Sequence, residues 1–309
     1  MRTGGNHPSQ GFGGIDLNLQ LIFNGISLGA VYALIAVGFA LVFSILKFSN
    51  FAHGGMISAA AYIAYFFQAA FPETPPLWLT IAFTSLVSLV IALLLDLICY
   101  RNIRKKNSPT IYYFVASITF GILIEQILNV FYGKASYGFP SMFEKTSIRL
   151  LGARVSTLDV VMLAISIAIL IVLMIIIEKT KLGLAIRAVS IDSHTGRLMG
   201  INSGKVIVFT FALAGLLAGV SGTLLGMKYS VYPTLGSTMI VKGFIASTIG
   251  GLGSLPGAII AALLLGIIEM FSVYHLGSSV TPVLLFGIML FFLFVRPQGI
   301  SGKYAQDKV

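Results

Sequence analysis

The sequence predicts an all-α polytopic integral membrane protein of eight to nine transmembrane helices, and three observations carry that prediction. Of 309 residues, 57% are hydrophobic and only 10% charged, where an average soluble domain carries about 25% charged residues. The mean hydropathy is +0.96, and apolar runs long enough to cross about 30 Å of hydrocarbon recur along the chain. The 20 basic and 10 acidic residues, a net charge of +10, gather in short stretches between those runs. Such placement follows the positive-inside bias and lipid headgroups, and excludes nucleic acid as the partner. A single cysteine, Cys99, excludes an internal disulfide and a paired-cysteine metal site. The 33 glycines suit helices that pack closely in lipid.

The elements follow in order. Residues 1–18 are polar and glycine-rich, without the basic-then-apolar pattern of a signal peptide, and read as a disordered tail. The membrane domain is expected over 19–296 and a basic tail over 297–309. Span one, 19–45, carries Asn24, Gly25 and Gly29, a face small and polar enough to meet protein rather than lipid. Residues 47–53 (KFSNFAH) form a polar break, and Gly54–Gly55 are expected to free the backbone for a turn. Span two covers 56–71. Span three, 77–100, is followed at once by Arg101, Arg104, Lys105 and Lys106, the clearest cytoplasmic anchor in the chain. Span four covers 111–132, and a loop of moderate length leads to Thr157. Span five, 158–177, has 20 residues, about 30 Å at about 1.5 Å per residue. Span six, 206–227, holds two G-x-x-x-G pairs, Gly215/Gly219 and Gly222/Gly226, which read as packing faces. Residues 238–249 form a short apolar piece interrupted by Lys242 and Gly243. GGLGSLPG (250–257) breaks the chain before spans at 258–273 and 281–295. If the short piece crosses, there are nine spans and the basic C-terminus shares the side of the basic loops; if it is re-entrant, there are eight. No internal repeat is visible in the residues, and an inverted repeat would lie below their resolution.

The longest polar interval, residues 178–205 (EKTKLGLAIRAVSIDSHTGRLMGINSGK), lies between spans five and six. Leu182, Ala185, Ile186 and Val189 fall at i, i+3, i+4 and i+7, an apolar stripe on a short helix. Arg187, Asp192 and Arg197 lie off that stripe, and Gly200 stands where a helix ends in the left-handed conformation. A helix of this kind lies on the membrane or docks in a partner's groove. Within the spans, Glu125, Glu269 and Lys242 are costly in hydrocarbon and are therefore pathway candidates, as are the polar Asn24, Asn50 and His53. Asp96, five residues before Arg101, reads as reaching the interface. The four histidines are scattered and no G-x-S-x-G or Walker-type loop occurs, so no metal site, cofactor or catalytic group is expected.

NGISLGAVYALIAVGFALVF (24–43) followed by SNFAHG (49–54) resembles the start of LivH-type permeases of branched-chain amino-acid ABC transporters. RAVSIDSHTGRLMGIN (187–202), GGLGSLPGA (250–258) and VRPQGI (295–300) resemble that family's remaining signatures, in the same order. The resemblance implies a non-enzymatic permease subunit in a bacterial or archaeal inner membrane. Its implied partners are a sister permease, two ATP-binding subunits and an extracytoplasmic substrate-binding protein, besides membrane lipid. It also implies that Arg187, Asp192, Arg197, Gly200, Ile201 and Asn202 belong to a cytoplasmic coupling helix against which the ATPase pushes. The chain departs from the family pattern at Gly55 and Ile191, where acidic residues are usual, and at Gly196, where alanine is usual. Urea and short-amide permeases share the general pattern. A different class, a stand-alone secondary transporter, would use Glu125 or Glu269 for proton coupling.

Overall fold

The computed structural model describes residues 13–106, 108–140, 147–150 and 153–301. Its helices are α1 (Gly13–Leu46), α2 (Ala52–Ala69), α3 (Leu77–Leu95), α4 (Arg101–Lys105), α5 (Thr110–Tyr132), α6 (Thr157–Lys179), α7 (Lys181–Ile191), α8 (Ser193–Leu198), α9 (Ser203–Tyr229), α10 (Leu235–Gly250), α11 (Leu255–Leu276) and α12 (Thr281–Val295). A π-helical turn, Asp96–Tyr100, joins α3 and α4 into one rod. By length and composition, α1, the α3–α4 rod, α5, α6, α9 and α11 are the six helices able to cross a membrane among the described residues, while α10 and α12 are apolar but shorter. The chain is a multi-pass membrane protein. Helix α1 begins at Gly13, inside the stretch expected as a disordered tail; residues 1–12 and 302–309 lie outside the described residues.

The all-α expectation needs one correction. Strands β1 (Ser147–Leu150) and β2 (Ala153–Ser156) pair antiparallel between α5 and α6. Their S-I-R-L and A-R-V-S sequences alternate apolar and polar residues, the period of a strand. Val155 is buried where β2 meets α1.

Two helices form the axis. In its most apolar window α1 is 89% buried and α9 is 78% buried, against 22–33% for the α3–α4 rod, α5 and α6. Lipid is as apolar as leucine, so central helices are held by close packing of small residues rather than by escape from water. Gly25 and Gly29 of α1 lie against Gly266–Ile267 and Ala262–Leu263 of α11, where a methyl on Gly29 would come within 2.8 Å of the Ala262 carbonyl oxygen. Gly215 and Gly219 of α9 lie likewise against Ser85–Ala92 of α3, and Gly222 and Gly226 against Ile57–Ala61 of α2. Both glycine pairs are packing faces.

The packing discloses an inverted repeat. Helix α1 ends through Lys47 at φ +56°, and α2 starts five residues later; α9 ends through Ser230 at φ +70°, and α10 starts five residues later. These are the two non-glycine residues with positive φ among the described residues. Helix α2 runs beside α9 in the same direction, and α10 beside α1, with Gly243 on Ile35 and the Phe244 ring 5.5 Å from that of Phe39. Helix α1 packs antiparallel to α11, as α9 does to α3. The order α1–α2–α3 therefore recurs as α9–α10–α11 with reversed direction. KFSNFAHGG and SVYPTLGST share a backbone course but almost no residues, which hides the repeat in the sequence.

The two short helices cross near their N-termini. Gly54 and Gly55 do not make the expected turn, which Lys47 makes instead; they lie in the first turn of α2 and permit close approach. Gly236 sits so near the Gly54 carbonyl that no Cβ fits there, and a Cβ on Gly55 would lie 2.9 Å from the Gly121 carbonyl oxygen. The Gly236 N–H donates to the Ser58 hydroxyl at 2.8 Å.

Candidate functional site

At one end of the bundle, α7 and α8 form a loop clipped to the helices on either side. The Thr180 hydroxyl donates to the Ile176 carbonyl at 2.6 Å and accepts from the Gly183 N–H at 3.1 Å, capping α7. Arg187 Nη1 donates to the Ile177 carbonyl at 2.5 Å, an otherwise open acceptor at the end of α6. Gly183 lies so close to the Ile176 and Ile177 carbonyls that no side chain fits. The buried face of α7 is Gly183, Ile186 and Val189; Leu182, on the expected stripe, is exposed and Ala185 half-buried. The stripe is displaced because α7 folds into the corner between α6, α9 and α1 instead of on a flat surface.

Asp192 ends α7 and caps α8. Its carboxylate accepts from the Thr195 hydroxyl and from the His194 N–H, the latter at 2.8 Å. Those bonds, the Thr195 hydroxyl foremost, hold its carboxyl below the ordinary carboxylate range. Gly200, at φ +82°, closes α8 while the Ile201 N–H returns to the Gly196 carbonyl at 3.0 Å, so the glycine stop read in the sequence is present. Asn202 caps α9 by accepting from the Lys205 N–H at 3.1 Å. Arg197, Ile201 and Asn202 line a cleft of about 870 Å³ that also touches Arg104 and Tyr113. At the tip, Ile191, Leu198 and Met199 are 86%, 76% and 79% exposed.

Among the polar groups of the spans, Lys242 and Glu269 are brought together across 27 residues. Lys242 Nζ donates to Glu269 Oε1 at 2.5 Å and to the Tyr32 hydroxyl at 2.8 Å, joining α10, α11 and α1. A second pair joins Lys228 of α9 to Asp159 of α6, and the Ser27 hydroxyl donates to the Asp159 carbonyl at 2.6 Å. The third binds Arg104 to Asp96 through both guanidinium nitrogens, at 2.5 and 3.1 Å. Asp96, expected to reach the interface, is instead 2% exposed and held by Arg104 across the π-helical turn.

Asn50 and His53 lie near each other but not on an open cavity. Asn50 Oδ1 accepts from the Tyr100 hydroxyl at 2.8 Å. The His53 ring is wedged on Gly38, and neither of its nitrogens has a partner in the structure. Asn24 is half-buried on α1 with its Oδ1 unpartnered. Glu125 stands apart on α5, over Ser237 in the first turn of α10. It lines a cavity of about 280 Å³ with Gln126, Asn129, Lys134, Tyr232, Pro233 and Thr234. Sequence reasoning missed Tyr32, Asp159, Lys228 and Gly183. A tyrosine inside a long apolar run was the one signal available; Asp159 and Lys228 acquire a role only through a contact far along the chain, and Gly183 through the Ile176 and Ile177 carbonyls just before it. No group of three metal-ligating side chains occurs among the described residues.

An apolar multi-pass bundle with ion pairs inside and a helical loop clipped to one end has the architecture of a membrane permease. The chain belongs to the family described as branched-chain amino acid transport system / permease component, whose profile matches residues 21–294. It is 32% identical over 304 residues to the high-affinity branched-chain amino acid transport system permease protein LivH of Escherichia coli K12, covering 94% of this chain and 97% of that protein. It is 30% identical over 304 residues to BraD of Pseudomonas aeruginosa, a permease protein of the same description, covering 94% and 98%. A shorter match, 31% over 116 residues, covers 37% of this chain and 32% of the nucleoside ABC transporter permease protein NupB of Lactococcus lactis. No solved structure gives a significant match.

Proposed function

We propose that the chain is the membrane permease subunit of an ABC importer that carries branched-chain or related hydrophobic amino acids. The observation that carries this reading is the α7–α8 loop, rigidly built yet tipped with exposed Ile191, Leu198 and Met199. A fixed apolar knob beside the basic Arg197 suits a groove on a partner protein. An ATP-binding subunit is that partner, one for each of two permeases, the second permease being a sister chain or a second copy. A push on α7 reaches α6 through Thr180 and Arg187, and α9 through Asn202 and the Ser203–Ser193 contact. ATP is hydrolysed on the partners, and this chain supplies half of the pathway.

Sidedness supports nine crossings, with α2 and α10 each starting inside the bilayer. The coupling loop, Arg104 and the ends of α1 and α6 share one end with the 251–256 turn and the segment after α12, where the Ile300 N–H donates to the Ile249 carbonyl. That end collects most of the basic loop residues, against Lys134, Lys145, Arg149 and Arg154 in the connection between α5 and α6, and is cytoplasmic by the positive-inside rule. The hairpin and the Tyr137–Val231 bridge lie at the other end, where an extracytoplasmic binding protein delivers its cargo. The membrane is the inner membrane of a bacterial or archaeal cell. Pathway groups are Asn24, Glu125, Lys242 and Glu269, with Asn50 and His53 at the break that lets α1 and α2 move.

Ile191→Glu and Leu198→Glu test the docking. Both side chains are exposed, so the purified variants should melt like the parent while co-purifying far less ATP-binding subunit. Undiminished co-purification and substrate-stimulated ATP hydrolysis in both would end this reading.

A further inference from the structure

The described residues include four buried carboxylates: Asp96, Glu125, Asp159 and Glu269. Three have a cation within ion-pair distance, namely Arg104, Lys228 and Lys242. Glu125 has none. It lies seven residues before the end of α5, about 10 Å inside the helix end at about 1.5 Å per residue. An unpaired charge at such depth is expensive. The N-terminus of α10 beneath it supplies only about half a positive charge, so the site is short of a cation. What Glu125 faces is a cavity of about 280 Å³, lined with the amides of Gln126 and Asn129 and the hydroxyl of Thr234, with Lys134 also contributing.

We infer that Glu125 is the subsite that receives the ammonium group of a zwitterionic amino acid passing through the cavity between α5 and the 232–234 segment. This rests on the permease reading above. A carboxylate recognises a primary ammonium through charge-assisted hydrogen bonds, and the flanking amides and hydroxyl can take its remaining N–H groups. Lys134 follows α5 and is exposed, placed to attract the carboxylate of the same zwitterion. The cavity lies in the half of the bundle away from the coupling loop, near the end of α5, the side from which cargo arrives under the permease reading. Lys242 and Glu269 neutralise each other and leave no net charge to satisfy.

The test uses the complete transporter in lipid nanodiscs, carrying Cys99→Ala and Tyr232→Cys, and follows maleimide labelling of the cavity thiol, Tyr232 lining the cavity without a part in the proposed binding. Leucine should slow labelling, with half-protection at a concentration at least about tenfold lower than for 4-methylpentanoate, the same molecule without its ammonium group. Glu125→Gln should erase that gap, and Glu125→Asp should retain most of it, while both still co-purify with the ATP-binding subunits. The inference is overturned if leucine gives no protection with Glu125 in place. It is also overturned if the gap survives in Glu125→Gln, or if protection follows sodium instead of leucine. Loss of ATPase co-purification from the parent itself strikes the permease reading, whereas protection failing with co-purification intact strikes only this subsite.

Discussion

Removing Lys242 should cost the protein more than removing both members of its ion pair. Lys242 and Glu269 have side chains 18% and 8% exposed, with Nζ 2.5 Å from Oε1 and 2.8 Å from the Tyr32 hydroxyl. Two unit charges about 3 Å apart attract by roughly 5 kcal/mol at an effective dielectric constant of about 20. Desolvation of both groups offsets most of that. Lys242→Met leaves Glu269 buried without a cation, with its Oε2 already unpartnered, and should cost about 3–5 kcal/mol. Glu269→Leu leaves the more exposed lysine, whose long stem can reach polar surroundings, and should cost about 2 kcal/mol. The double variant Lys242→Met/Glu269→Leu fills the space with apolar groups and should lie within about 1 kcal/mol of the parent. Unfolding of the micelle-bound chain titrated with sodium dodecyl sulfate measures all four corners of the cycle. If Lys242→Met is tolerated, or the double variant is as unstable as the sum of the singles, the pair is not coupled and the reasoning fails.

Three further outcomes follow. Gly236→Ala pushes a methyl into the Gly54 carbonyl and should cost about 3 kcal/mol or more, whereas Gly287→Ala, with nothing within 4 Å of the added carbon, should leave the melting temperature unchanged or higher. Gly200→Val has equally open surroundings but must adopt a left-handed conformation costing roughly 1–2 kcal/mol; it should insert normally yet lose substrate-stimulated ATP hydrolysis. The Asp192 carboxyl titrates lower in the folded loop than in the unfolded chain, so its contribution is fully present above the unfolded value and is lost as pH falls through the folded one. Hydrogen-exchange protection of the His194 amide, corrected for intrinsic rates, should therefore decline only below about pH 4, and Asp192→Asn should flatten that profile.

What the sequence disclosed depended on the range of the interaction. Gly200 was legible because a helix stop is a local event, decided within a turn of the residue itself. Span positions were legible because hydrocarbon thickness fixes length. Lys242 and Glu269 were each suspect for their charge, yet nothing in their spacing marked them as partners, and Tyr32 looked like one more aromatic in an apolar run. Gly54 and Gly55 were misread because glycine serves turns and close packing alike, and only the position of Gly236 decides between them. Leu182 was misplaced on the buried stripe because α7 packs into the corner between α6, α9 and α1, which a helical period alone does not reveal. The strands were passed over because four-residue alternation is faint beside spans of 20 apolar residues.

The inverted repeat bears on how a push at the proposed coupling loop would be used. Lys242, Tyr32 and Glu269 bind α10, α1 and α11 into one set, further locked by Gly25 and Gly29. Gly215, Gly219 and the Thr84–Thr223 hydroxyl contact at 2.8 Å bind α3 and α9 into another, which α2 joins through Gly222 and Gly226. Between the sets run the α1–α9 face and the crossing of α2 over α10. The polar ties across that boundary are the Ser58–Gly236 bond and a bridge through Asp159 of α6, which meets Lys228 of α9 and Ser27 of α1, while the His53 ring lies there with both nitrogens unpartnered. The loop is clipped to α9 through Asn202 and Ser203. Under the permease reading a push there moves the α9 set against the α1 set along the boundary that costs least to shear, because it gives up packing but few hydrogen bonds. The same motion carries α2 past α10 and changes the space beside Ser237, over which Glu125 sits. The coupling loop and the proposed ammonium subsite, at opposite ends of the bundle, are thereby connected through one movable contact between two otherwise tightly packed halves.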